Sequence, residues 1–204
     1  IMRINKETKI FGSFSSNPGN NGCVFFNKKF KEKNINAIYK SFFSDNLLES
    51  INAAKALNFS GFALSMPFKI EILKYAYNID PIAKEIGSAN TILNISNKLY
   101  AYNTDWIGVK KFFLEMKSTP KEILIAGNGG FSRAGQYACN DMNINYKIVT
   151  RQNWSILEST DKFIFNATPV ELNNKNLFDG RPFSKDGKMI ANFQAEEQFK
   201  LYTK

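Results

Sequence analysis

The sequence predicts an α/β protein built in two parts and closed by a C-terminal helix. Three observations predict it. Short apolar runs alternate with amphipathic stretches through the first half; a glycine-rich turn, Gly127-Asn128-Gly129-Gly130, joins an apolar strand to a helix; and Lys117-Ser118-Thr119-Pro120 breaks the chain between these regions. Strands that alternate with helices argue for a mainly parallel sheet whose ligands gather beyond the carboxyl ends of its strands.

In the first part, residues 10–15, 37–43 and 61–64 read as strands, and 47–57 and 70–77 carry helical spacing. This β-α-β-α-β order places Ser65, Lys69 and the loop before Phe25 at the ligand edge of the sheet. A hairpin follows, 90–95 and 99–103 turning at Ser96-Asn97-Lys98, and then an amphipathic helix over 105–116. After Pro120 the spacing predicts a compact βαβ: a strand at 122–126, a helix at 133–142 and a strand at 146–150. A further strand at 162–166, an irregular stretch over 170–185 and a closing helix over 189–202 complete the chain.

Composition narrows the chemistry. The chain has 204 residues, 44% of them hydrophobic, enough to bury a core, and it contains no histidine. Proton transfer near neutral pH therefore falls to Lys, Asp, Glu, Tyr or Cys, and imidazole-based triads and zinc sites are excluded. Cys23 and Cys139 form no C-x-x-C pair and are too few for a disulfide framework or a thiolate metal site, so reduced structural thiols and no metal are expected. The net charge of +9 comes from lysines interleaved with acids rather than from a basic block, which predicts no nucleic-acid partner. No apolar run reaches the roughly 18 residues a membrane span needs, and residues 1–9 are too polar for a signal peptide. A cytoplasmic protein with no membrane partner, acting as a monomer or homodimer on a small molecule, is the expectation.

Two groups of residues carry chemistry. Gly127 permits a tight turn, Gly129 lets backbone approach a pyrophosphate, and the helix that follows offers amide donors and a positive dipole end. The second strand of this βαβ ends in Thr150-Arg151, with no acid to accept the ribose hydroxyls of NAD; an arginine there favours the 2′-phosphate of NADP. Lys69 follows Met66-Pro67-Phe68 at a strand-to-helix turn, and Asp105 opens a helix. Read blandly, these are a solvated lysine and a helix cap; read with a nicotinamide, they are a dehydrogenase acid/base pair.

The order of these motifs resembles the shikimate dehydrogenase family from about residue 10 to the C-terminus. Gly61 to Ile70, G-F-A-L-S-M-P-F-K-I, is similar to the family's G-F-N-V-T-x-P-H-K-x, which implies that Lys69 is the catalytic lysine and Ser65 a substrate contact. Gly87 to Ile92 is similar to G-A-V-N-T-I and Ala101 to Asp105 to G-Y-N-T-D, implying Asn90 as a substrate residue and Asp105 as the catalytic aspartate. Gly127-Asn128-Gly129-Gly130-Phe131 resembles the cofactor loop G-A-G-G-A, Thr150-Arg151-Gln152 the N-R-T phosphate clamp, and Asn166-Ala167-Thr168-Pro169 the N-A-T-P strand end. Asp186-Gly187 and Gln194-Ala195 resemble D-G-x-x-M-L-x-x-Q-A, implying a nicotinamide-side role for Gly187 and a substrate contact for Gln194. The resemblance implies a substrate-binding catalytic domain over 1–104, a Rossmann-type NADP-binding domain over 105–187 and a helix over 188–204 returning to the first. It further implies reduction of 3-dehydroshikimate to shikimate, with NADPH, in aromatic amino-acid biosynthesis.

The chain also departs from that pattern. The family's S-x-S, whose hydroxyls hold the substrate carboxylate, falls by counting on Asn20 and Gly22, with Ser13, Ser15 and Ser16 upstream; Ser13, Ser15 and Asn20 are the candidates for that contact. Ala63 and Phe68 replace polar residues beside the lysine, which weakens discrimination if they face substrate oxygens. Between Arg151 and Phe163, and between Thr168 and Asp186, the chain is much shorter than the family, as though a strand and one or two helices were gone. Either the cofactor sheet is reduced, or segments of the natural chain are missing there; loss of a central strand would expose edges and core, which favours the second. Alongside a dehydrogenase of shikimate or quinate stands a weakly active or non-catalytic relative that binds a nucleotide or small acid.

Overall fold

The computed structural model describes residues 4–116 and 118–204; Lys117, where the break was expected to begin, and the first three residues of the polar N-terminus lie outside them. The chain forms two compact units, one running to Asn103 and including Gln198–Lys204, the other Thr104–Glu197.

The first unit is built from β1 (Lys9–Ser15), α1 (Asn21–Glu32), β2 (Ala37–Phe43), α2 (Leu47–Ala56), β3 (Gly61–Leu64), β4 (Asn78–Ile79), α3 (Pro81–Ile86), β5 (Thr91–Ile95) and β6 (Lys98–Tyr102). Its sheet has the order β2-β1-β3-β5-β6-β4. β1 pairs parallel with β2 and β3, while β5 runs antiparallel to β3 and β6. Strand alternation sends Phe14 to one face, against Phe42, Phe59 and Phe62. Phe11, on the other face, meets Phe30 of α1 and Tyr202 with ring centroids 5.4 and 4.6 Å apart.

Four local features differ from the sequence expectation. α1 exists because Phe26 and Phe30, four residues apart, bury one stripe on this sheet. Residues 70–77 give only a 3-10 turn at Glu71–Lys74, after which the chain extends into β4. α3 is fixed at both ends: the Asp80 side chain accepts from the Ile82 and Ala83 amides, Pro81 occupies the first turn, and Gly87 closes it at φ 71°. In the hairpin, Ser96 and Asn97 both have positive φ, 51° and 62°, the two-residue turn that suits strand twist, so Lys98 belongs to β6.

The second unit contains α4 (Asp105–Leu114), β7 (Glu122–Ala126), α5 (Gly130–Asp141), β8 (Asn145–Val149), α6 (Ile156–Ser159), β9 (Phe163–Asn166), β10 (Leu177–Asp179) and most of α7 (Lys185–Tyr202). All its strands are parallel, in the order β10-β9-β7-β8. This is the inner part of the Rossmann order 3-2-1-4-5-6, with neither outermost strand present among the described residues. The expected irregular stretch over 170–185 thus contains β10, which is only three residues long. The sheet of this chain is reduced at its edges, not at its centre. The segment after β8 preserves a core there: Leu157 packs with Leu124, Val149 and Ile164, and Trp154, Leu172 and Leu177 close over them.

α7 spans both units. Gly108 of α4 admits its backbone, since a Cβ there would stand 2.7 Å from the Ile190 carbonyl oxygen and 3.0 Å from Gln194 Cβ. Lys111 and Glu197 pair at 2.6 Å. This packing keeps α7 in the second unit as far as Glu197, and the return to the first begins at Gln198, later than residue 188. No helix among the described residues is long and apolar enough to cross a membrane.

Candidate functional site

In the first unit, the backbone gathers three candidate residues at the carboxyl end of β3. Leu64 N donates to the Asn90 carbonyl at 2.9 Å, Phe68 N to the Ser65 carbonyl at 2.9 Å, and Ala89 N to the Lys69 carbonyl at 2.7 Å. The turn that carries Ser65 and Lys69 is therefore tied directly to the segment, ending in Asn90, that leads into β5. Asn90 is buried, and its Oδ1 accepts from the Thr91 hydroxyl at 3.0 Å. Phe68, which replaces a polar residue of the family motif, points into the core at 2% exposure, and Ala63 pairs with Thr91 in the sheet. Neither side chain contributes a polar atom to the lysine turn.

Ser13 and Ser15 alternate onto the face of β1 covered by α1. Ser13 lies opposite Ser41 of β2 and hydrogen-bonds the Tyr39 hydroxyl. Burial raises the pKa of that phenol above its ordinary range, and the bond to Ser13 partly offsets the rise. Ser15 is buried, and its carbonyl accepts from Ser44 N at 2.9 Å. Asn20 stands at the α1 N-cap, where its side chain makes no capping bond. Gly22 allows α1 to close on the Tyr39 ring, 2.9 Å from where a Cβ would sit. The sequence reading missed two partners in this layer: the Cys23 sulfur accepts from Ser41 N at 3.2 Å and lies 3.4 Å from the Ser41 hydroxyl. The one available signal was the alternation of Tyr39, Ser41 and Phe43 along β2.

In the second unit, Asp105 is the first residue of α4, only 5% exposed, at the end of the helix where a carboxylate is favoured. The preceding residue fixes Gln194: the Thr104 hydroxyl donates to Gln194 Oε1 at 3.0 Å. Lys69 and Asp105 thus belong to different units.

The glycine turn is shaped by two opposite needs. Gly127 has φ 102°, donates its N–H to the Val149 carbonyl at 2.8 Å, and leaves no room for a Cβ beside Thr168. At Gly129, the α5 N-cap, a Cβ would meet nothing within 4 Å. Phe131 anchors the first turn of α5 on Phe165, centroids 5.5 Å apart, and Ser132 Oγ donates to the Gly127 carbonyl at 2.7 Å. Asn128 completes the loop, and Gly130 opens the 12-residue helix α5. Thr150 begins a capped 3-10 turn, its N–H bonded to Asn153 Oδ1 at 2.7 Å, and presents Arg151 exposed past the end of β8. These residues fit a dinucleotide: an open, positively poled turn for the pyrophosphate and a guanidinium at the neighbouring strand end.

Thr168 is held by Asn166 Oδ1, which accepts from its N–H at 3.1 Å and its hydroxyl at 2.7 Å. Asn166 in turn donates to Asp179 Oδ1 at 3.3 Å. Arg181 clamps that carboxylate through Nε, 2.9 Å from Oδ2, and a terminal nitrogen, 2.8 Å from the same atom. The guanidinium pKa is raised by its hydrogen bond to Asp179. Gly187 sits elsewhere in this web: its N–H goes to Ser184 Oγ at 2.8 Å, and its Cα faces the Arg181 carbonyl so closely that any side chain would collide. Asp179 and its clamp by Arg181 escaped the sequence reading because β10, which carries Asp179, is only three residues long; Asn166 was read only as the end of the strand over 162–166.

Residues 22–92 match the family described as the shikimate dehydrogenase substrate binding domain. A shikimate dehydrogenase (NADP(+)) of Methanococcus aeolicus is 36% identical over 185 residues, 87% of this chain and 63% of that protein. A shikimate dehydrogenase-like protein of Haemophilus influenzae is 36% identical over 132 residues, 64% of this chain and 49% of that one. The chain spans between about half and just under two thirds of the length of these curated relatives. Among solved structures, a shikimate dehydrogenase in complex with NADP+ superposes with a TM-score of 0.77 at 26% identity, covering 98% of this chain and 92% of that one.

Proposed function

We propose that this chain, which is similar to shikimate dehydrogenases, interconverts 3-dehydroshikimate and shikimate, or a quinate-like cyclic hydroxy acid, with NADP as the redox partner, in aromatic amino-acid biosynthesis. The observation that carries the reading is the tie between Ala89 N and the Lys69 carbonyl, 2.7 Å, which fastens the lysine turn beside buried Asn90.

In this reading Lys69 carries the proton that the substrate oxygen gains on reduction, and Asp105 is the carboxylate this chemistry requires. Asn90, Gln194 and Ser65 orient the ring hydroxyls, and Ser13, Ser15 and Asn20 receive the carboxylate end. Bound NADP supplies the hydride chemistry; the 127–131 turn holds its pyrophosphate, Thr150 and Arg151 its adenosine phosphate, and Thr168 and Gly187 flank its nicotinamide end. Gly187 acts there only through backbone, since its Cα is packed against Arg181. Preference for NADP over NAD rests on Arg151.

A second reading, a weakly active or non-catalytic relative, is favoured by one observation: Phe68 is core at 2% exposure, so the lysine turn has lost a polar neighbour. One assay separates the two: NADPH formation by the purified protein given shikimate, then quinate. Turnover supports the dehydrogenase. Flat absorbance with both, together with retained NADPH binding by calorimetry, supports the second reading.

A further inference from the structure

The orientation of a side-chain amide is set by what its neighbours can donate. Gln198, on the last turns of α7, is 1% exposed and was not among the candidate residues. Its Nε2 faces two oxygens: the Thr91 hydroxyl at 2.8 Å and the Asn90 backbone carbonyl at 3.5 Å. A carbonyl can only accept, so the nitrogen of Gln198, not its oxygen, must point this way. Thr91 Oγ1 then accepts a hydrogen bond from Gln198 and has its own hydroxyl hydrogen to donate. It gives it to Asn90 Oδ1 at 3.0 Å. Both Thr91 and Asn90 are buried, at 0% and 4% exposure, so water does not compete for these bonds.

We propose that Gln198 is a positioning residue that acts through Thr91 to fix the polarity of the Asn90 amide, holding its oxygen on Thr91 and turning its NH2 toward the ligand side. The inference rests on the reading of Asn90 as a substrate contact. It adds that this position recognises an acceptor, a ring hydroxyl or keto oxygen, and discriminates against a ligand that offers only a donor there. The family motif singles out Gln194, four residues earlier on the same helix, and leaves Gln198 without a role.

The test is Gln198→Glu, which keeps size and shape but cannot donate from the carboxylate, so the Thr91 proton is drawn away from Asn90. In protein labelled with 15N, the Asn90 side-chain NH2 resonances shift in this variant, whereas those of Asn103, whose amide is held separately by Ser88, stay in place. The KM for shikimate rises on the order of tenfold while the KM for NADPH stays within about twofold. Thr91→Val gives the same pattern and Thr91→Ser restores it, a rescue that a merely structural effect would not show. Unmoved Asn90 resonances in Gln198→Glu, or an equal change in both KM values, would overturn the proposal. If the resonances move but the wild-type protein turns over neither shikimate nor quinate, the relay stands and the dehydrogenase reading falls.

Discussion

A Cβ on Gly127 would stand 2.7 Å from Thr168 Cγ2, so the glycine turn and the Asn166–Thr168 strand end are packed as one surface. Asn166 fixes Thr168 through two bonds, and Gly127 itself is held at φ 102° by its bond to Val149. The turn has no slack on that side, while Gly129 opens on empty space.

Gly127→Ala therefore costs both the strain of a left-handed backbone and a collision, together about 2 to 3 kcal/mol. Denaturant unfolding is expected to show that loss, and NADPH affinity to fall at least tenfold. Gly129→Ala, by contrast, should leave stability within about 0.5 kcal/mol while weakening only NADPH, because its missing side chain makes room for a ligand and not for the fold.

Arg151 is exposed and capped into place by Thr150 and Asn153. If its guanidinium meets the 2′-phosphate, Arg151→Ser raises the KM for NADPH by about 10- to 100-fold, which is roughly 1.4 to 2.8 kcal/mol, and leaves the KM for NADH nearly unchanged. Parallel steady-state measurements with the two nucleotides check this. An equal change for both would remove Arg151 from cofactor selection.

Cys139 is fully buried in α5, and burial pushes its thiol up to about 12. Its pKa is higher folded than unfolded, so its contribution is fully present below the ordinary thiol value of 9.0 and is lost as pH rises from there toward about 12. The wild-type protein should lose stability across that window by at most about 1.4 kcal/mol per pH unit from this group, and Cys139→Ala should lose less over the same range. Urea unfolding at pH 8, 9.5 and 10.5, values chosen from about one unit below to well above the ordinary thiol range, measures it. At pH 8 a thiol reagent should leave Cys139 unlabelled in the native protein.

Much of this was legible in the sequence. β2 and β3 ended where apolar periodicity placed them, at Ala37–Phe43 and Gly61–Leu64, because each is a short run bounded by polar or glycine residues. The glycine turn lay between a strand and a helix as its spacing required. What escaped notice had weak local signals: α1 shows one aromatic stripe amid lysines, and β10 is three residues long. The Asp80-Pro81 start and Gly87 stop of α3 were readable, yet the helix between them, Pro81–Ile86, is too short to show a period. For the candidate site, single residues could be named from motifs, but the bonds that orient them could not. Gln198 and Thr104 bond to partners distant in sequence, and only the fold brings those partners together.

Lys69 is the residue on which the dehydrogenase reading turns. Stopped-flow and steady-state assay of Lys69→Ala with shikimate and NADP+ tests it most directly. In this variant kcat is expected to fall at least a thousandfold, on the order of 4 kcal/mol, while NADPH affinity stays within about twofold of the wild type. A variant that forms NADPH at the wild-type rate would contradict it.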